Sequence, residues 1–286
     1  MRHQEVPAAI AGEVDAVLAG RASSLFGNSS RARQAAAAMN LSKCPPMKAV
    51  SILLERAADR TEMLELNRKR MGKMMGRFPA LDGSNHTHFE EFWRWLGFRL
   101  NPATFRGWMR SYGAVSATLS HLNALRWQVQ ERLPFLLRLE DDIYILDAHF
   151  LKGLSCFLTR FLIDRRRLDG ERTAGLFDVV HFHFGPGPVG VGADAYLTSM
   201  EGAANELRRF CARGIYNGFD FMTNTQRHAV LTVGKQTTTS MMRRKNAPTG
   251  KGSVVRVMAH MNMSQLRAWT NESASWSLSR CMRWLE

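Results

Sequence analysis

The sequence predicts an α/β fold, a mainly parallel sheet flanked by helices. Three observations carry that expectation. Short apolar runs alternate along the chain with longer segments whose apolar residues recur at helical spacing. The clearest short run, Phe135 to Leu139, ends in an acidic triplet, Glu140-Asp141-Asp142. Ligands of open α/β sheets bind beyond the carboxyl ends of strands, so a polar cluster there is where a site belongs. Finally, the chain has 286 residues and no internal repeat, enough for one large or two small domains with a real core.

The elements follow in order. Residues 1–45 are rich in Ala, Arg and Ser and read as a poorly ordered basic extension. Pro45-Pro46 punctuates, and the main domain is expected over residues 46–233. Met47 to Leu54 is an apolar, partly β-branched run and a candidate first strand. Met63, Leu64, Met71, Met74, Met75 and Phe78 fall on one face of a helix that Asp59 or Thr61 would cap. Leu81 to Ser84, with Asp82-Gly83 inside it, reads as a turn. Phe89, Phe92, Trp93 and Leu96 mark a second amphipathic segment.

Val115, Leu119, Leu122, Val129 and Leu133 mark a helix that Pro134 ends. The strand over Phe135 to Leu139 follows, with Arg138 its one discordant residue. Phe150 to Leu162 reads as an amphipathic helix, residues 165–175 as a charged loop, and Phe177 to Phe184 as a strand. A turn-rich loop leads to a short strand, Ala195 to Thr198, and to a helix, Glu201 to Arg213, ended by Gly214. Residues 234–286 form a basic loop and C-terminal extension, with 234–253 expected to be mobile and Val254 to Met258 a candidate last strand.

Composition narrows the function classes. Hydrophobic residues make up 45% and charged residues 22%, ordinary for a globular protein. No apolar run is long enough to span a bilayer. The net charge of +14 favours anionic partners: nucleic acid, anionic lipid or phosphorylated small molecules. Solubility and a basic tail explain the same excess, and the sequence shows no recognition helix or single-strand stacking platform. The cysteines, Cys44, Cys156, Cys211 and Cys281, are widely spaced, which argues against structural zinc. Cys156 and Cys211 sit in apolar helical patterns and are expected as buried thiols.

The acidic triplet is the first chemical candidate. Clustered carboxylates repel one another unless a cation joins them, and oxygen ligands suit Mg²⁺ or Mn²⁺. Such an ion could hold a diphosphate and stabilise it as a leaving group. The alternative is a solvated turn, or a cap for a helix starting near Asp147. His181 and His183 alternate on one strand face, as a metal pair or as lining of a half-buried strand.

The neighbours of the triplet carry a resemblance. Gly113, then Leu119-Ser120-His121, Trp127 and the Leu139-Glu140-Asp141-Asp142 block resemble glycosyltransferase family 25, the lipopolysaccharide glycosyltransferases and procollagen galactosyltransferases. Ile52 to Arg60 is similar to the family's opening strand and Asp-Arg turn, and Ala80 to Gly83 to its Ala-x-Asp-Gly. Ala195-Tyr196 with Gly202-Ala203 looks like its strand–helix junction. The similarity spans roughly residues 48–225, with departures at Leu53-Leu54-Glu55 and at Ser116-Ala117.

The resemblance implies a GT-A-like, Rossmann-type nucleotide-sugar domain. It implies inverting, metal-assisted transfer of a sugar, commonly galactose, from a UDP-sugar to a hydroxyl of a glycan, lipid-linked or protein acceptor. On that reading Glu140 and Asp142 contact Mn²⁺ or Mg²⁺, and Asp141 orients donor hydroxyls. Arg56 and Arg60 meet the diphosphate or nucleobase, and Asp82, Ser120 and His121 line the donor. Asp220 is the candidate base. Two other readings remain: an inactive member acting as a binding subunit, and a basic protein touching nucleic acid or anionic membrane.

Compartment is left open. The first residues lack the apolar core of a signal peptide, as in a cytoplasmic chain. Asn28, Asn40, Asn85, Asn262 and Asn271 each begin Asn-x-Ser/Thr, more than chance supplies, which points to the ER or Golgi lumen if the N-terminus is truncated.

Overall fold

The computed structural model describes residues 47–98, 111–145, 179–182, 194–215, 218–219, 230–233, 242–244 and 281. Its centre is a six-stranded sheet of order β2-β1-β3-β6-β5-β7. The strands are β1 (Lys48–Leu53), β2 (Met75–Pro79), β3 (Phe135–Glu140), β5 (Val179–Phe182), β6 (Ala195–Ser199) and β7 (Val230–Val233). β1 is parallel to β2 and β3, and β5 is parallel to β7. β6 alone is reversed, antiparallel to both β3 and β5. The sheet is therefore mainly parallel in direction and mixed in pairing. β1 and β3 are buried almost throughout, as strands covered on both faces must be.

The helices are α1 (Ala58–Met71), α2 (His86–Leu96), α3 (Tyr112–Gln130) and α4 (Met200–Arg213). α1 packs against β1, β2 and β4 (Ile143–Ile145). α3 covers one sheet face, with Ala124 and Trp127 against Val50, Ile52, Phe78 and Leu136. α2, α3 and α4 share the larger core through Phe89, Leu96, Leu119, Leu122, Leu207 and Phe210. Capping fixes the starts of three helices. Asn85 caps α2, Ser111 caps α3 and Ser199 caps α4, each accepting from a backbone N–H one turn on.

Several expectations change. The helix expected to carry Met74, Met75 and Phe78 ends at Met71, and Met75–Pro79 is strand β2. Gly72, at φ 60°, stops the helix in a backbone conformation that L side chains rarely adopt. β2 has no β-branched residue and exists because β1 offers a parallel edge, which local pattern does not reveal. No side chain caps α1; Thr61 instead donates back to Ala57 O at 3.3 Å. β4 and its antiparallel partner β8 (Met242–Arg244) were not anticipated, and β8 lies within the stretch expected to be mobile. Cys211 is no thiol but is bonded to Cys281. The expected helix over 150–162 and strand over 254–258 lie outside the described residues.

Arg138, discordant in the sequence, is fully buried. Its guanidinium donates to Thr198 Oγ1 at 2.5 Å, Gln128 Oε1 at 2.7 Å and Ala124 O at 3.2 Å, and lies over the Tyr196 ring. Burial lowers its pKa to about 10, so it stays a cation at neutral pH. A buried charge is tolerated only when hydrogen bonds offset its desolvation; here the two terminal nitrogens supply them, while the buried Nε has no partner among the described residues.

Candidate functional site

β1 is the strand from which the chain moves first to one side, to β2, and then to the other, to β3. That reversal makes a topological switch point, where the loops leaving neighbouring strands part and open a crevice. Three strands end here. β1 runs into the Glu55-Arg56 turn and the first turn of α1, which holds Arg60. β2 runs into Ala80, Leu81 and Asp82, with Ala80 N donating to Leu53 O at 3.0 Å. β3 delivers Glu140, then the Asp141-Asp142 turn into β4.

The side chains cross between these loops. Arg56 Nε lies 2.5 Å from Asp82 Oδ2, and Arg60 lies 3.6 Å from Asp141 Oδ1. The four side chains are between 25% and 44% exposed, so the pairs stay within reach of solvent and of a ligand. Exposed pairs of this kind contribute little to stability and can exchange partners. Asp82 also accepts from Ser84 N at 2.8 Å and Ser84 Oγ at 2.7 Å. Burial alone would raise its pKa; the Ser84 hydrogen bonds and Arg56 outweigh that and hold the carboxyl below its usual range.

Two supports fix the crevice walls. Leu81 N donates to Ser120 Oγ at 2.8 Å, and Ser120 Oγ donates to Ser116 O at 2.7 Å. With both roles used inside the protein, Ser120 contributes by placing the Asp82 loop. Gly83 presses on the start of α3: a Cβ there would come 2.7 Å from Ser116 Oγ and from the Tyr112 carbonyl. On the other wall, buried Asn67 of α1 acts as a strand edge. Its Nδ2 donates to Ile143 O at 2.8 Å and its Oδ1 accepts from Ile145 N at 2.9 Å. Arg70 adds a bond to Ile145 O at 2.9 Å and stacks over Tyr144. β4 is thereby clamped, and with it the acidic turn that precedes it.

His121 lies under the crevice floor, stacked on Phe219 and bonded through Nδ1 to Tyr196 OH at 2.8 Å. Burial, then the nearby Arg138 charge, lowers its pKa to about 3. Its Nε2 is 4.0 Å from Glu140 Oε1, and because the ring is neutral this contact is not an ion pair. The facing carboxylate favours the proton on Nε2, which leaves Nδ1 to accept from Tyr196.

Of the residues singled out in the sequence, Arg56, Arg60, Asp82, Glu140, Asp141 and Asp142 thus lie at or just beyond the carboxyl ends of β1, β2 and β3, joined by the two ion pairs. Ser120 and His121 stand behind it. Asp220 and His183 lie outside the described residues, and His181 is buried within β5. Among the described residues no three His, Cys, Asp or Glu side chains form a metal-holding group. The sequence singles out Tyr196 only as part of the strand–helix junction, and Asn67 not at all. Asn67 left a signal: it sits three residues after Leu64 and four before Met71, a polar residue on an apolar helix face.

No family model matches the chain, and no curated protein matches it. Among solved structures it is similar to a glycosyltransferase involved in the glycosylation of the major capsid of PBCV-1. That match has 10% identity, covers 73% of this chain and 95% of that one, and has a TM-score of 0.38. A likeness at that score carries no weight for fold or activity, and nothing in it singles out family 25.

Proposed function

We propose that the chain is a glycosyltransferase that binds a nucleoside-diphosphate sugar in the crevice at the ends of β1, β2 and β3. One observation supports this above the others: two ion pairs, Arg56–Asp82 and Arg60–Asp141, join loops at the ends of neighbouring strands, with Glu140 and Asp142 flanking Asp141 in the chain. A diphosphate would draw Arg56 and Arg60 from their carboxylate partners into charge-assisted hydrogen bonds. Asp82 and Asp141, so released, can accept from ribose or sugar hydroxyls.

The donor set fits a hard divalent ion held jointly with the donor. Mg²⁺ is commonly bound by one or two carboxylates plus substrate phosphates, so the lack of a protein-only group among the described residues does not oppose it. Glu140 and Asp142 would hold such an ion, Mn²⁺ or Mg²⁺. It would neutralise the departing diphosphate. UDP as the nucleotide, galactose as the sugar, inversion, and Asp220 as the base that takes the acceptor hydroxyl proton all rest on the family 25 resemblance.

The test is UDP release and sugar transfer across a panel of UDP-sugars, with Mn²⁺ or with EDTA, beside Asp142→Ala. Metal-dependent release lost in the variant is expected. A folded protein that binds UDP-sugars but releases nothing, with acceptors supplied, would leave a binding subunit. One that binds none of them would overturn the proposal.

A further inference from the structure

Asn85 opens the motif Asn85-His86-Thr87 and is the one such asparagine among the described residues. Residues 84–88 are all exposed. The Asn85 side chain is oriented by its helix: Oδ1 accepts from His88 N at 3.1 Å, as the N-cap of α2. A backbone N–H can only donate, so the amide oxygen must face the helix. That turns Nδ2 away from the helix, on a surface with room for a large substituent.

The disulfide is a separate observation pointing to the same environment. Cys211 on α4 and Cys281 are both buried and bonded across a separation of 70 residues. Such bonds form and persist in oxidising compartments. Oxidation of thiols and N-glycosylation of exposed Asn-x-Ser/Thr meet in the secretory lumen of cells that have one.

We infer that Asn85 is an N-glycosylation site and that the chain matures in an oxidising, glycosylating lumen. The modifying reagent is an oligosaccharide linked to a lipid diphosphate. Asn85 Nδ2 forms a bond to C1 of the sugar and loses a proton. The C1–O bond to phosphate breaks, and the lipid diphosphate leaves with the electron pair. Oδ1 is untouched, so the cap of α2 survives. The glycan stands at the crevice rim, since Asn85 N donates to Asp82 O at 3.1 Å. This inference does not depend on the chain being a transferase.

The experiment is mass spectrometry of the full chain purified from the cells that make it, digested with and without reduction. Enzymatic glycan removal in ¹⁸O-water is expected to leave labelled aspartate at Asn85. A Cys211–Cys281 linked peptide is expected before reduction. Thr87→Ala, which spares the capping side chain, is expected to lose this glycan and one glycan's worth of mass while the chain stays folded. An unmodified Asn85 peptide in the mature protein would overturn the inference, as would free thiols at Cys211 and Cys281.

Discussion

Two polar regions, one beyond the carboxyl end of β3 and one buried along it, behave in opposite ways. At the strand's end, Arg56, Arg60, Asp82 and Asp141 make partly exposed ion pairs between loops. Inside the sheet, Arg138, Gln128, Thr198, His121 and Tyr196 form a fully buried layer in which the one cation has neutral partners. The outer pairs give up little when broken, because water replaces the partner. The inner groups have no such recourse, so each lost bond carries its full desolvation cost. Function is expected where exchange is cheap, and rigidity where it is not.

Five predictions test that contrast, from the largest effect to the smallest. Gln128 accepts from Arg138 and from Thr198 Oγ1, and donates to Leu133 O and Thr198 O. Gln128→Leu removes all four bonds and is expected to cost about 3–5 kcal/mol in denaturant unfolding. A cost under about 1 kcal/mol would mean the layer is not a network.

The pH dependence should come from the same layer. His121 has a folded pKa of about 3 against an ordinary 6.5. Between those values the unfolded chain takes up a proton that the folded chain refuses, so stability falls as pH drops from about 6.5 toward about 3. His121→Asn should flatten that part of the stability profile by an amount on the order of a few kcal/mol. Parallel profiles for the two proteins would show that His121 is not held neutral.

Asn67→Leu removes both bonds to β4 and is expected to destabilise by about 2–4 kcal/mol. It should also weaken Mn²⁺–UDP binding, measured by calorimetry, because the acidic turn loses its clamp. Unchanged binding would uncouple β4 from the site. Gly83→Ala places a methyl against the start of α3 and is expected to cost about 1–3 kcal/mol by thermal unfolding.

At the small end, Arg60→Gln should change stability by under about 1 kcal/mol. It should nonetheless weaken UDP binding at least tenfold, about 1.4 kcal/mol. An Arg60 variant that unfolds readily but binds normally would reverse the roles assigned to the two regions.

Much was legible in the sequence because it is carried by near neighbours. The apolar runs of β1 and β3, the helical spacing of α3, and the position of Glu140-Asp141-Asp142 at a strand end follow from side-chain periodicity. Periodicity says nothing about partners distant in the chain. Met74, Met75 and Phe78 continue a helical spacing, yet Met75–Pro79 is strand β2, because β1 offers it a parallel edge. Arg138 looked like a fault in an apolar strand until α3 and β6 supplied its acceptors. Asp-Gly at 82–83 suggested an ordinary turn, whereas the close approach of α3 is what excludes a side chain there. The disulfide joins residues 70 apart, and spacing alone could not pair them. The sequence by itself determined which segments are apolar and where acidic groups follow a strand. Only the tertiary structure decided that Arg60 meets Asp141 and that Arg56 meets Asp82 at the neighbouring strand end, because these loops are brought together by strand order, which exists only once the sheet has formed.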